Sequence, residues 1–175
     1  KKKLKLNDDT IIIFGKDCKR QDIWRNEIYP DYKKSRKTDN EIKDFFIYTY
    51  NNIINKYKYI SIDTCEADDI IGVLTKYLSN DNKIYIITGD YDYLQLLYND
   101  NVSIYNLKYK NLKDKSHGNC QTDLMCKILM GDASDNIGPI HSKLGIKTAI
   151  KYIEKPSLLE EKCKNSDINN KLKLN

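Results

Sequence analysis

The chain has 175 residues, a formal net charge of +5, 40% hydrophobic and 31% charged residues, which is enough apolar content for a buried core and excludes a disordered chain. No apolar run approaches the ~20 residues of a membrane-spanning helix, and the lysine-rich start lacks the apolar stretch of a secretory signal. Five cysteines (Cys18, Cys65, Cys120, Cys126, Cys163) without a C-x-x-C pair point away from a disulfide scaffold and toward a reducing, intracellular compartment. His117, Cys120, Cys126 and His141 match no established zinc-ligand spacing. The basic excess is either a solvated lysine-rich surface or the rim of an acidic pocket in an enzyme that handles a polyanion; charge alone does not separate the two.

In chain order, residues 1–10 read as a polar, frayed end, and residues 10–14 (TIIIF) as a short buried strand followed by Gly15, Lys16 and Asp17. Residues 23–29 form a short helix or turn carrying Trp24 and Arg25 and stopped by Pro30. The densest basic run follows, DYKKSRK at 31–37, which taken alone fits a solvated surface at least as well as a binding patch. Residues 40–57 read as a helix with Ile42, Phe45, Phe46, Thr49, Ile53 and Ile54 on one face, and residues 58–62 as a strand. Next come a helix over 67–78 with an acidic first turn, a buried strand over 83–88, a short helix over 93–97 and a strand over 102–107. After a polar, lysine-rich loop (108–119), a helix over 123–130 ends at Gly131, an acidic turn-rich loop runs over 131–139, and a Gly-containing turn leads into a helix from about Lys147 to Ile153. From Pro156 onward the chain is weakly helical and polar. Strands alternating with helices specify an α/β fold, a mostly parallel central sheet with flanking helices, carrying a helical appendage on its C-terminal side. The expected division is 1–122 as the α/β core, with a short basic arch near 31–45, 123–155 as the appendage and 156–175 as a tail.

Two acid clusters frame the helix over 67–78: Glu66, Asp68 and Asp69 before it, Asp90 and Asp92 after the next strand. Acids in a first helical turn are ordinary, because they complement the helix dipole. Acids just past the C-terminal end of a parallel strand are less so, since open α/β sheets place their ligands there. Two acid groups facing one crevice repel unless cations neutralise them, and clustered carboxylate oxygens suit hard divalent cations. Asp17, at another strand exit, is a third such group.

The segments IYPDYKKSRK, CEADDIIG, ITGDYDYLQLL and MGDASDNIGP…LGIKTAIKYI occur in the order and spacing of the 5′-nuclease superfamily, and the chain resembles that family over about residues 11–153. The superfamily comprises flap endonucleases and the 5′–3′ exonucleases of phages and bacterial polymerases. The resemblance implies a PIN-like nuclease core with a helix–two-turn–helix subdomain. It further implies a first metal on Glu66, Asp68 and Asp69, with Asp17 as the strand-exit acid, and a second on Asp90, Asp92, Asp132 and Asp135. The expected ions are two Mg2+, replaceable by Mn2+, about 3.5–4 Å apart and clamping a phosphodiester in in-line displacement. Lys33 and Arg36 match the family's basic pair at the foot of its arch, which contacts the scissile phosphate. Tyr32 would stack on the terminal unpaired base, with Lys34 beside it in the basic run. Gly138, Gly145, Lys147 and Thr148 match the helix–two-turn–helix, which holds duplex phosphates with K+.

Three departures from the family pattern stand in the sequence. The family's opening strand and its metal-binding aspartate have no counterpart before residue 11; Gly15 and Lys16 stand where the strand-exit acid usually follows, so Asp17 fills that role only with a small shift; and few residues separate Lys37 from Phe45, implying a short arch. The expected partner is DNA with 5′ flaps, nicks or overhangs, met by a monomer without membrane contact. Two rivals belong to other classes: a branched-DNA binding protein that does not cut, and a PIN-like RNA nuclease.

Overall fold

The computed structural model describes residues 1–37 and 40–175, with no account of the side chains of residues 40 and 41; part of the expected arch, Thr38 and Asp39, lies outside the described residues. Four short strands form: β1 (Ile13–Lys16), β2 (Lys58–Ser61), β3 (Ile84–Ile87) and β4 (Val102–Tyr105). β1 pairs in parallel with β2, Ile13 opposite Lys58, and β3 in parallel with β4, Ile84 opposite Val102. Among the described residues these are two separate parallel pairs rather than one continuous ladder. Parallel strands need a crossover between them; α2 (Asn40–Ile54), after the short α1 (Arg25–Ile28), lies between β1 and β2 in the chain, and α3 (Ala67–Leu78) between the two pairs.

β3 and β4 are where the core is densest, with Ile86, Val102, Ile104, Tyr93, Leu94 and Leu112 buried together and Ile71 of α3 packed against them. α3 also packs on β1, and Gly15 is what lets it come close. A side chain there would meet the Ala67 carbonyl and the Ile71 side chain, both at 3.2 Å. Gly15 and Lys16 belong to the strand, so Asp17 follows the strand end directly and needs no shift to serve as its exit acid.

α4 (Cys120–Met130) begins three residues before the expected start, because the Asn119 side chain accepts a hydrogen bond from the Thr122 N–H at 2.9 Å and caps it. With α5 (Ile146–Glu154) it builds a second core from Cys126, Leu129, Ile140, Ala149 and Tyr152. The expected polar tail is instead two helices, α6 (Pro156–Cys163) and α7 (Ser166–Leu174), whose Leu158, Leu159, Ile168 and Leu172 pack on that core. Pro156 in the first turn of α6 and the Asn165 cap of α7 start them. Each has too few apolar residues for a clear period. The expected apolar face of α2 does not reach a core: Ile42, Phe45 and Phe46 are half or more exposed, and only its C-terminal part, with Ile53 and Ile54, is partly covered. Among the described residues no helix is long and apolar enough to cross a membrane.

Candidate active site

A cleft of about 1100 Å³ collects the acids. Asp17, Glu66, Asp68, Asp90, Asp92, Asp132 and Asp135 all line it, with Lys33, Arg36 and Lys127 among the facing cations and Ile42, Phe46 and Tyr50 of α2 on one wall. The acids arrive from four places: the exit of β1, the first turn of α3, the exit of β3, and the loop after α4.

Local chemistry fixes each one. Asp17 Oδ1 accepts the Ala67 N–H at 2.7 Å, so the acid leaving β1 sits on the N-terminus of α3, where the helix dipole favours it. Asp68, one position on, accepts the Tyr93 hydroxyl at 2.5 Å. Burial pushes the Asp68 carboxyl above its ordinary range, and the Asp90 and Asp17 charges add to this, partly offset by Tyr93. Asp90 caps the 3₁₀ turn Tyr91–Leu96, accepting the Asp92 N–H at 2.8 Å. Asp17, Asp68 and Asp90 have no cation within ion-pair distance among the described residues. The other four acids are paired. Glu66, 5% exposed, takes the Lys33 ammonium, Arg25 at 3.2 Å and the Tyr32 hydroxyl at 2.7 Å. Asp135 takes Arg36 at 2.5 Å and Lys33 at 3.9 Å. Lys127 bridges Asp92 at 2.7 Å and Asp132 at 2.5 Å. Burial raises Asp132, but the hydrogen bonds from Lys127 and Ser134 outweigh it and hold the carboxyl at about 2. Burial raises Asp92 with Lys127 only partly compensating, since Asp90 and Asp132 lie close.

The acidic loop owes its shape to Gly131. Its φ is +68°, and a Cβ there would lie 2.5 Å from the Gly138 carbonyl oxygen, so only glycine fits. Asp132 and Ile137 then exchange backbone hydrogen bonds at 2.8 Å, and Asp132 Oδ1 accepts from Ser134 N and Oγ, both at 2.7 Å. The basic run is stitched to this loop from far away in sequence. Lys33 N–H donates to the Asp135 carbonyl at 2.9 Å, Arg36 Nε to the Ser134 carbonyl at 3.0 Å, Tyr29 Oη to the Asn136 carbonyl at 3.0 Å and Asn136 Nδ2 to the Asp31 carbonyl at 3.1 Å. The run is therefore a wall of the cleft rather than a solvated loop.

Seven expected residues lie elsewhere. Asp69 does not line the cleft; its carboxylate is held by both Arg25 Nη atoms, at 2.7 and 2.9 Å, by Trp24 Nε1 at 3.3 Å and by the Glu66 N–H at 3.0 Å, and it faces a smaller cavity of about 460 Å³. Burial opposes its ionisation, yet these hydrogen bonds and the Arg25 charge hold Asp69 below the ordinary range. It orients Arg25 rather than offering free oxygens. Lys34 pairs with Asp31 at 2.8 Å and stays off the cleft. Gly138, in the loop after α4, also lies off it, as do Gly145, the N-cap of α5, and Lys147 and Thr148 in its first turn, where Lys147 is exposed. Tyr32 is the clearest correction of role: at 8% exposure, with its hydroxyl on Glu66 and on Asp135 at 3.3 Å, its ring is not displayed for a base to stack on. Sequence reasoning missed Arg25, Tyr93 and Lys127 as site residues. Their helix positions were legible, but each reaches acids 5 to 44 residues away, a pairing no local pattern announces.

Carboxylates at parallel-strand exits, an acidic loop and facing cations define a class, α/β proteins with a carboxylate-lined cleft at the strand exits. The chain belongs to the family of the 5′-3′ exonuclease N-terminal resolvase-like domain, which its residues 2–123 match. It is 34% identical over 168 residues to a protein named 5′-3′ exonuclease from Buchnera aphidicola subsp. Acyrthosiphon pisum, covering 91% of this chain and 57% of that one. It is 33% identical over 150 residues to a protein named ribonuclease H from Enterobacteria phage T4, covering 79% and 49%. The chain thus spans about half the length of these relatives. Its fold is similar to that of a phage T5 5′-exonuclease with divalent metal ions (zinc) bound, at TM-score 0.68 and 22% identity over 91% of this chain and 66% of that one.

Proposed function

We propose that the chain is a divalent-metal-dependent 5′-nuclease module that hydrolyses DNA phosphodiesters near single-strand/double-strand junctions, in replication or repair. The observation that carries this reading is the trio Asp17, Asp68 and Asp90, three carboxylates in one cleft with no cation within ion-pair distance among the described residues. Their all-oxygen donor chemistry fits Mg2+ or Mn2+. Asp17, Glu66 and Asp68 would hold one ion, and Asp90, Asp92, Asp132 and Asp135 a second. Among the described residues no three acids stand close enough together to hold an ion in the metal-free arrangement. When bound, such ions supply charge neutralisation on the phosphate and a water acidic enough to attack near neutral pH.

The chain's own residues do the rest. Lys33 and Arg36, beside Glu66 and Asp135 in the cleft, hold the phosphate and stabilise charge developing on its oxygens. Arg25 and Tyr32 fix Glu66, and Tyr93 fixes Asp68, so that these oxygens face the cleft in one geometry. Ile42, Phe46 and Tyr50 offer an apolar, aromatic wall to unpaired bases. Gly138 in the loop after α4, with Gly145, Lys147 and Thr148 at the start of α5, would hold duplex phosphates, with K+ as a candidate ion there. The phage T5 flap endonuclease captured with DNA and metal ions supports this reading by fold.

The test is a 5′-labelled flap duplex and a 5′-labelled RNA strand paired to DNA, each incubated with Mg2+, Mn2+ or chelator. Metal-dependent cutting of the flap is the expected result. Preferential cutting of the RNA strand would shift the substrate toward the phage T4 relative's namesake activity. Binding without cutting would make the chain a structure-specific binding protein.

A further inference from the structure

Lys127 sits where a cation is wanted. It lies in the last turn of α4, whose end closes with the Gly131 N–H on the Lys127 carbonyl at 2.8 Å. Its ammonium spans 2.7 Å to Asp92 Oδ1 and 2.5 Å to Asp132 Oδ2, joining the turn after β3 to the loop after α4. Those two carboxylates are assigned to the second ion and are joined by one ammonium; in the first ion's set Glu66 pairs with Lys33 and Arg25, but Asp17 and Asp68, like Asp90, have no ion-pair partner among the described residues. We propose that Lys127 is a built-in counter-ion that takes the second cation's place in the metal-free protein and has to leave it when that cation binds.

An ammonium and a divalent ion cannot share the same two oxygens, because both would lie within a few ångströms of each other with like charge. The lysine therefore does two opposing things. It holds the empty site together against repulsion between Asp92, Asp132 and Asp90, and it weakens the second ion's binding by the cost of its own displacement. The two ions should then bind unequally, the first on the unpartnered side of the cleft. A lysine freed in this way stays tethered to the cleft wall, so substrate phosphates that attract it favour the loaded state.

This inference rests on the two-ion reading, and the experiment separates their failures. Mn2+ is titrated calorimetrically into the DNA-free wild type, Lys127→Met and Lys127→Arg, and each is melted in chelator and in Mn2+. Expected are two unequal binding events in the wild type, with the weaker one tightened about tenfold or more in Lys127→Met, the scale on which outer partners tune metal affinity, and left weak in Lys127→Arg. Lys127→Met should melt below wild type in chelator, with the deficit closing in Mn2+, a crossing that a lysine with a purely structural role would not give. If Lys127→Met is too unstable to titrate, wild-type protein with 13Cε-labelled lysine substitutes: the resonance missing in Lys127→Arg should shift with the second equivalent of Mg2+, not the first. A second event equally weak or weaker in Lys127→Met, or a Lys127 signal indifferent to metal, overturns the inference alone. A wild type that binds no divalent ion overturns the two-ion reading with it.

Discussion

Each acid in the cleft is held by a partner that decides what it can do. Tyr93 donates to Asp68 Oδ1 at 2.5 Å, and among the described residues the other carboxylate oxygen takes no hydrogen bond. Tyr93→Phe should therefore slow single-turnover cleavage about 10-fold or more, the range of lost outer-shell partners, while flap affinity measured in Ca2+ stays unchanged. Lys33 lies under Glu66 and Asp135, and its backbone donates to the same loop. Lys33→Ala should cost about 10²–10³ in the chemical step, as for a lost charge-stabilising donor, and weaken binding far less. Asp132 makes a prediction about acid stability. Its folded carboxyl is held at about 2, below the ordinary aspartate value near 3.9. The stability it contributes is thus complete above that ordinary value and drains as pH falls toward the folded one. Urea midpoints of metal-free protein should drop between these limits, and the drop should be smaller in Asp132→Asn.

Two turns, one at the start of α3 and one after α4, turn separate segments into a site. The first depends on Gly15, which lets α3 approach β1 so that Asp17 reaches the Ala67 N–H. The second depends on Gly131, where any side chain meets the Gly138 carbonyl and the φ is positive. Gly131→Ala should destabilise by about 1–3 kcal/mol, the cost of a backbone forced into a sparsely populated region, read as a lower melting temperature together with lost cleavage. These elements were largely legible in the sequence. Strands β1 to β4 and the helix α3 follow from apolar runs and helical spacing, and Gly131 closes a periodic stretch. α6 and α7 were not, because their few leucines and isoleucines give no strong period and owe their burial to α4 and α5. The apolar stripe of α2 was read correctly as a pattern and wrongly as a core face, since periodicity reports amphipathicity and not what will cover it.

Across the whole molecule, the acids were legible as a cluster and their partners were not. Asp17, Glu66, Asp68, Asp90, Asp92, Asp132 and Asp135 meet in one cleft; the positions of the first five around the strand exits suggested it, and the family resemblance implied the last two. Asp69 parts from them because Arg25 claims it, a pairing across 44 residues. The basic run becomes a wall only through hydrogen bonds spanning 98 to 107 residues to the acidic loop, which join the α/β part to the helical one. Fold and family are thus set by the strands and motifs, while the state of the site is set by contacts between distant segments. If the acids without an ion pair hold catalytic metal, Asp90→Asn should show it in single-turnover cutting of a 5′-labelled flap in Mg2+, with flap affinity of variant and wild type measured in Ca2+. Metal-dependent cutting by the wild type and a loss of about 10²-fold or more in the variant, as for a removed charge-stabilising group, are expected at unchanged affinity. Equal rates for the two proteins would contradict the metal assignment.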